Sequence, residues 1–246
     1  MFSIFKKKYS GPVDFSGLKC DMHSHLLPGI DDGSPDPQTS IALINGMKDL
    51  GYQELITTPH ILWDLYKNDK QTIESAWSRL EPAMQQQKLS IPFRFAAEYY
   101  LDDYFDQLLQ SKTPLFCIHQ NKVLVEFSFL NAPINAKEKL FQLQIEGYQP
   151  ILAHPERYLY LHNKAYDELK DAGCLFQVNL LSLTGYYGKP PLELAHYLIK
   201  KDYVDLLGTD LHHERHLEAL RSGHKIMDTI KLLLDSGRLL NPLLFT

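Results

Sequence analysis

Residues 150–178 read PILAHPERYLYLHNKAYDELKDAGCLFQV, and this stretch holds one complete unit of the architecture. An aliphatic run, Pro150 to Ala153, stops at a polar residue; a helical segment follows, ends at Ala172-Gly173, and gives way to a second apolar run, Leu175 to Val178. Glycine just past a helix end fits a left-handed cap, a conformation that a Cβ makes costly. The runs are continuously apolar rather than alternating, as in parallel strands covered on both faces. Parallel neighbours need a crossover connection, and the helix supplies it.

Outward from this unit the pattern repeats. Further strand-like runs at Leu18 to Met22, Glu54 to Thr58, Pro92 to Ala97, Val123 to Phe127 and Val204 to Leu207 bring the count to seven. Helical periodicity fills the gaps, for example Pro37 to Leu50 and Asn135 to Glu146, and Gly51 and Gly147 follow those helices as Gly173 follows its own. Seven strand–helix units within 246 residues suit one α/β domain over 1–246, a TIM-like (β/α)7 barrel, closed or nearly so, rather than an open doubly wound sheet. Residues 1–16 read as an arm ahead of the first strand, with the FKKK segment as a solvated tail.

Composition excludes several classes. No run approaches the roughly 20 apolar residues of a membrane span, and the start, MFSIFKKKYSGPVDF, lacks the apolar core and cleavage site of a signal peptide. A cytoplasmic protein without stable membrane insertion is expected. The formal charge of -5 argues against a nucleic-acid partner, because phosphate backbones are bound mainly by Lys and Arg. Cys20, Cys117 and Cys174 are far apart and sit in or beside apolar runs, so they read as buried thiols rather than as a disulfide frame or a CxxC site.

The chemistry lies where the runs stop. In order, they lead into His23 and His25, His60, Glu98, Glu126, His154, and Asp210 with His212, so six of the seven finish at a side chain able to bind metal. In a parallel barrel all strands end on one face, where barrel active sites lie. Asp31 and Asp32, in the loop after the first strand, can reach the same place. His-x-His is weak alone, but the two-residue period of a strand points both imidazoles to one side. His213 and His216 lie close to His212 and leave the choice of ligand there open. Nitrogen and oxygen donors without thiolate suit Mn, Fe, Zn or Co.

The motifs DMHSHLLPGIDDG, TTPH, AAEYY, VLVEF, LAHPERY and GTDLH, in this order, resemble the PHP (polymerase and histidinol phosphatase) superfamily. They look most like its bacterial manganese-dependent protein-tyrosine phosphatases of capsule and exopolysaccharide loci. The resemblance spans Asp21 to about Arg215 and implies a distorted barrel of the PHP type. It further implies a site of two or three ions, with manganese the usual metal, held by His23, His25, Asp32, His60, Glu98, Glu126, His154, Asp210 and His212. Asp31 would orient a ligand or cap the turn. Arg157 would contact phosphate; the second family arginine has Arg215 as its nearest match, at a spacing shorter than the pattern.

By this resemblance the chain hydrolyses protein phosphotyrosine, its partner a bacterial tyrosine autokinase that controls polysaccharide export. The alternatives are a histidinol-phosphatase-like phosphomonoesterase and a nuclease or phosphodiesterase. A cysteine-dependent phosphatase is disfavoured, since none of the three cysteines opens a Gly-rich, Arg-closed anion loop. Aromatic residues following the strand ends (Trp63, Tyr66, Tyr99, Tyr100, Tyr158, Tyr160, Tyr186 and Tyr187) are candidates to sandwich a phosphotyrosine ring, or simply to pack the loops over the barrel.

Overall fold

Each expected strand forms, and every ladder is parallel. The computed structural model describes residues 9 and 11–245. Its strands are β1 (Cys20–Asp21), β2 (Glu54–Thr57), β3 (His60–Ile61), β4 (Phe93–Phe95), β5 (Glu98–Tyr100), β6 (Lys122–Glu126), β7 (Gln149–Ala153), β8 (Leu175–Asn179) and β9 (Leu206–Gly208). They pair in the orders β1-β2-β4 and β3-β5-β6-β7-β8-β9. Two of the seven expected runs are followed by a further short strand that the sequence did not announce. After β2 the chain pauses at Thr58-Pro59 and β3 starts at His60; after β4 it pauses at Ala96-Ala97 and β5 starts at Glu98. Pro59 has no N–H to give a ladder, yet its carbonyl accepts the Glu98 N–H at 3.1 Å, which sets His60 opposite Glu98. A parallel bridge between Ser24 and Leu211, with Asp210 N–H donating to the His23 carbonyl at 2.8 Å, joins the chain after β9 to the chain after β1.

Helices α1 (Pro37–Asp49), α2 (Lys70–Gln86), α3 (Asp103–Gln110), α4 (Ala136–Ile145), α5 (Asn163–Asp171), α6 (Leu180–Thr184), α7 (Lys189–Lys200), α8 (Glu214–Arg221), α9 (Met227–Asp235) and α10 (Asn241–Leu244) complete the described fold. Local chemistry sets their ends. Asp36 accepts the Thr39 N–H at 2.8 Å and Pro37 opens α1, while Asp69 and Thr72 form a reciprocal capping box on α2. Gly51, Gly147 and Gly173 adopt φ of +97°, +88° and +81° after their helices.

Alternation along the strands divides the core in two. Cys20, Ile56, Leu124, Ile151, Ala153 and Leu206 belong to one small buried cluster, whereas their strand neighbours Leu55, Val123, Val125, Leu152 and Leu207 belong to the large cluster under the helices. Leu244 of α10 joins the small cluster. Val13 and Phe15 are already part of the large one, and the Phe15 N–H donates to Leu50. The FKKK segment, residues 5–8, lies outside the described residues.

Candidate metal centre

Glu98, at the start of β5 and fully buried, is the hub of the mouth. Its Oε2 lies 3.1 Å from His23 Nε2, 3.4 Å from His25 Nε2 and 3.2 Å from His60 Nδ1, and its Oε1 lies 3.2 Å from His154 Nε2. Glu126, the last residue of β6, approaches His60 Nδ1 at 3.5 Å and His154 Nε2 at 3.7 Å. Asp210, just beyond β9, brings Oδ1 to 3.5 Å from both His23 and His25 and 3.4 Å from His212. Asp32 spans His60 and His212 at 3.5 and 3.4 Å. The strand ends therefore bring together all nine residues of the expected ligand set. They form four overlapping groups (His25, Asp32, His60, His212; His23, His154, Asp210; His23, His25, Glu98; His60, Glu98, Glu126) whose donor atoms lie within 4.8 Å of one another.

Hydrogen bonds behind the cluster decide which ring nitrogen faces it. His23 Nδ1 lies 2.7 Å from Gln177 Oε1, and His25 Nδ1 lies 2.9 Å from Asp31 Oδ2. An amide oxygen and a carboxylate can only accept, so both Nδ1 atoms donate and both Nε2 atoms are left facing the mouth, where a cation would take their lone pairs. Asp31 also accepts the Gly33 and His60 N–H groups at 3.0 and 3.1 Å. It braces a ring and the turn, and its oxygens are not in the four groups. His154 and Asp210 have φ of +33° and +52°, a left-handed backbone that costs a non-glycine residue about 1–3 kcal/mol and clusters at functional sites.

The donor set fits cations. Burial alone would raise Glu98 and Asp210, yet the imidazoles around them hold both well below the ordinary carboxylate range. Burial, with Glu98 and Asp210 as negative neighbours, pushes Glu126 well above it. Carboxylates this close repel, and a shared cation relieves the conflict. His60 Nδ1, although 3.2 Å from Glu98, is buried off the line of any hydrogen bond, as a nitrogen kept for a metal would be.

Beside the cluster lies a cavity of about 220 Å³ whose lining includes Asp32, Glu126, Phe129, Arg157, Tyr187 and His213. Arg157 Nη1 donates to Asp210 Oδ2 at 2.9 Å, and Asn179 Nδ2 donates to the same oxygen at 2.8 Å. His213 and His216 line the cavity too but belong to none of the four groups; His216 Nδ1 sits between the Asp210 carbonyl at 3.2 Å and the His212 backbone nitrogen at 3.3 Å. Arg215, in the first turn of α8, is exposed and outside the lining. Of the aromatic residues singled out in the sequence, Tyr187 lines the cavity and Tyr66 stacks on His60 at 5.5 Å. Tyr99 and Tyr158 are buried, and Trp63 stacks on Tyr104 instead. Sequence reasoning missed Gln177, Asn179 and Phe129. The first two are polar at alternate positions of the one run without a ligand, which places both on the inner face, and that was the available signal. Phe129 carried none.

A family model described as "Capsular polysaccharide synthesis, CpsB/CapC" matches residues 19–227. Tyrosine-protein phosphatase YwqE of Bacillus subtilis is 28% identical over 195 residues, covering 78% of this chain and 76% of that protein. Putative tyrosine-protein phosphatase CapC of Staphylococcus aureus is 27% identical over 199 residues, at 78% and 76% coverage. Among solved structures, that of the metal-dependent tyrosine phosphatases YwqE from Bacillus subtilis and CpsB from Streptococcus pneumoniae superposes with a TM-score of 0.78 at 24% identity, over 92% of this chain and 94% of the other. Histidinol phosphate phosphatase from Lactococcus lactis gives 0.51 at 15% identity, over 84% and 92%. These superpositions establish the shared fold, and the family match over most of the chain, with the strand-end cluster inside it, leads to one conclusion: the chain belongs to the CpsB/CapC family of capsular polysaccharide synthesis.

Proposed function

We propose that this chain is a single-domain, metal-dependent protein-tyrosine phosphatase, acting in the cytoplasm on a tyrosine autokinase of polysaccharide export. The observation that carries the reading is a cluster of nine N- and O-donor side chains, all buried or half-buried except the exposed Asp32, with one arginine on the wall of the adjoining cavity. Relatives named as tyrosine-protein phosphatases support the substrate class. No helix of the described residues is long and apolar enough to cross a membrane.

His23, His25, Asp32, His60, Glu98, Glu126, His154, Asp210 and His212 would hold two or three ions, and manganese is our assignment. Such ions, when bound, supply Lewis acidity and lower the pKa of a coordinated water toward about 7. The chain's own residues do the rest. Arg157 is tied to Asp210 through Nη1 and contributes the planar donor set that matches phosphoryl oxygens. Gln177 and Asp31 fix the tautomers of His23 and His25. The leaving group is a phenolate, whose conjugate acid has a pKa of roughly 10, so departure asks less of a general acid than an alkyl ester would.

Among the described lining residues there is one guanidinium, no lysine and several carboxylates, which suits a single phosphoryl group better than a nucleic-acid backbone. The test is phosphate release from a phosphotyrosine peptide, with manganese and with chelator, against histidinol phosphate and a single-stranded oligonucleotide. Chelator-sensitive release that favours the peptide supports the proposal. Preference for histidinol phosphate or the oligonucleotide would overturn it.

A further inference from the structure

Arg157 is held between two aromatic rings. Its guanidinium carbon lies 4.4 Å from the centre of the Phe129 ring and 4.2 Å from that of Tyr187, so each ring offers its π face to the cation. The pair comes from separate parts of the chain: Phe129 from the loop after β6, and Tyr187 from the turn between α6 and α7, where Gly185 and Gly188 take φ of +84° and +92°. Both line the cavity, and Phe129 stays 45% exposed. A half-exposed phenylalanine at a polar mouth has little to gain from burial, so its position calls for another reason.

The surroundings pin the clamp. The Phe127 N–H donates to the Tyr158 hydroxyl at 3.0 Å, and the Tyr160 hydroxyl donates to the Ser128 carbonyl at 2.8 Å. The two tyrosines that follow Arg157 in sequence thus fasten the loop that carries Phe129 over it. Phe129 also stacks on the His154 ring at 5.5 Å, with 26° between planes. Asp210 fixes the Nη1 edge of the guanidinium and the two rings fix its plane, while the remaining edge makes no hydrogen bond among the described residues.

We infer that Phe129 and Tyr187 are positioning residues that clamp the Arg157 guanidinium in the plane from which it meets a phosphoryl group. The inference rests on the phosphatase reading for its substrate. Its central measurement uses inorganic phosphate, so that the two can fail separately.

The experiment is a double-mutant cycle on the metal-loaded, full-length protein, with two readouts: kcat/KM for an aryl phosphate and competitive inhibition, or calorimetric binding, by inorganic phosphate. Phe129→Ala and Tyr187→Ala are each expected to weaken both readouts by about 3- to 30-fold, the range of one to two partly desolvated cation–π contacts. Tyr187→Phe should restore them, because it keeps the ring, and metal content should not change. In an Arg157→Ala background, either alanine should have little further effect, since the group it positions is gone. Phe141→Ala, which removes an exposed ring on α4, serves as the control. Additive losses in that background would overturn the inference. So would weakened aryl phosphate turnover with phosphate binding intact, which would make the rings a wall for the substrate's own ring.

Discussion

The two oxygens of Asp210 face different partners: Oδ2 receives Arg157 Nη1 at 2.9 Å, while Oδ1 lies among His23, His25 and His212 at 3.4–3.5 Å. One carboxylate thus joins the candidate metal cluster to the candidate phosphate contact. Removing either partner should have different consequences. Arg157→Ala leaves Asn179 still donating to Oδ2 at 2.8 Å, so the carboxylate keeps its orientation. Metal content should hold while kcat falls by about 10²–10³, as when a single preorganised donor to a developing charge is lost. Asp210→Asn removes the charge that faces three imidazoles, and elemental analysis should show metal lost along with activity. Arg215→Ala, on the exposed side of α8, should stay close to wild type. A larger loss from Arg215→Ala than from Arg157→Ala would reverse the assignment of the phosphate contact.

Metal removal should cost stability as well as activity. Without a cation, Glu126 is pushed up by burial and by the charges of Glu98 and Asp210, and the cluster opposes its own compactness. An ion at a hundred times its Kd adds about 2.7 kcal/mol, and a domain of this size moves its Tm by roughly 2–4 °C per kcal/mol. Chelation should therefore lower Tm by about 5–10 °C per tightly held ion, reversed on adding manganese. An unchanged melting curve with the metal demonstrably removed would mean that the acids and imidazoles satisfy one another.

Much of this was legible in the sequence because a parallel barrel converts strand ends into one locus. His23, Glu126 and Asp210 can be placed together without coordinates once the strand runs are seen. What period and composition do not carry is the chain's path across the mouth. The break at Pro59, after which His60 opens a second short strand opposite Glu98, follows from one missing N–H just past an apolar run. Phe129 lies outside any periodic element, and its role appears only when the turn after β7 lies beside the loop after β6. Arg215 failed to reach the cavity because α8 begins at Glu214, and the helical turn carries His216 inward and Arg215 outward.

The cysteines should be dispensable. Burial pushes Cys174 up to about 12 and Cys20 further, far from the low values of a nucleophilic thiolate, and burial raises half-buried Cys117 too. None of the three lies in the cavity lining. Cys20→Ala, Cys117→Ala and Cys174→Ala should each keep turnover within about twofold, apart from stability costs of the buried pair, which are roughly 1–3 kcal/mol. Iodoacetamide should leave the native enzyme active. Stoichiometric inactivation by the reagent, protected by phosphate, would point back to a thiol mechanism.

Gln177 offers the sharpest test of how the site is built. It is fully buried on β8, its Oε1 fixes His23 Nδ1 at 2.7 Å, and its Nε2 has no hydrogen-bond partner among the described residues. A buried amide half-satisfied in this way is a net cost unless the half it does satisfy matters, and that half decides the His23 tautomer. Gln177→Leu keeps most of the volume and removes the acceptor, freeing His23 to present either nitrogen. Metal affinity should fall by about 10- to 100-fold, the usual effect of losing such a support, while the apo protein melts close to the wild-type temperature, because removing an unpaired amide offsets the loss of an acceptor for His23 Nδ1. Gln177→Glu, which keeps an acceptor at that position, should retain tighter binding than Leu. If Leu binds metal as wild type does, the Nδ1 contact does not set the tautomer, and the orientation of His23 must come from its packing against Gly208.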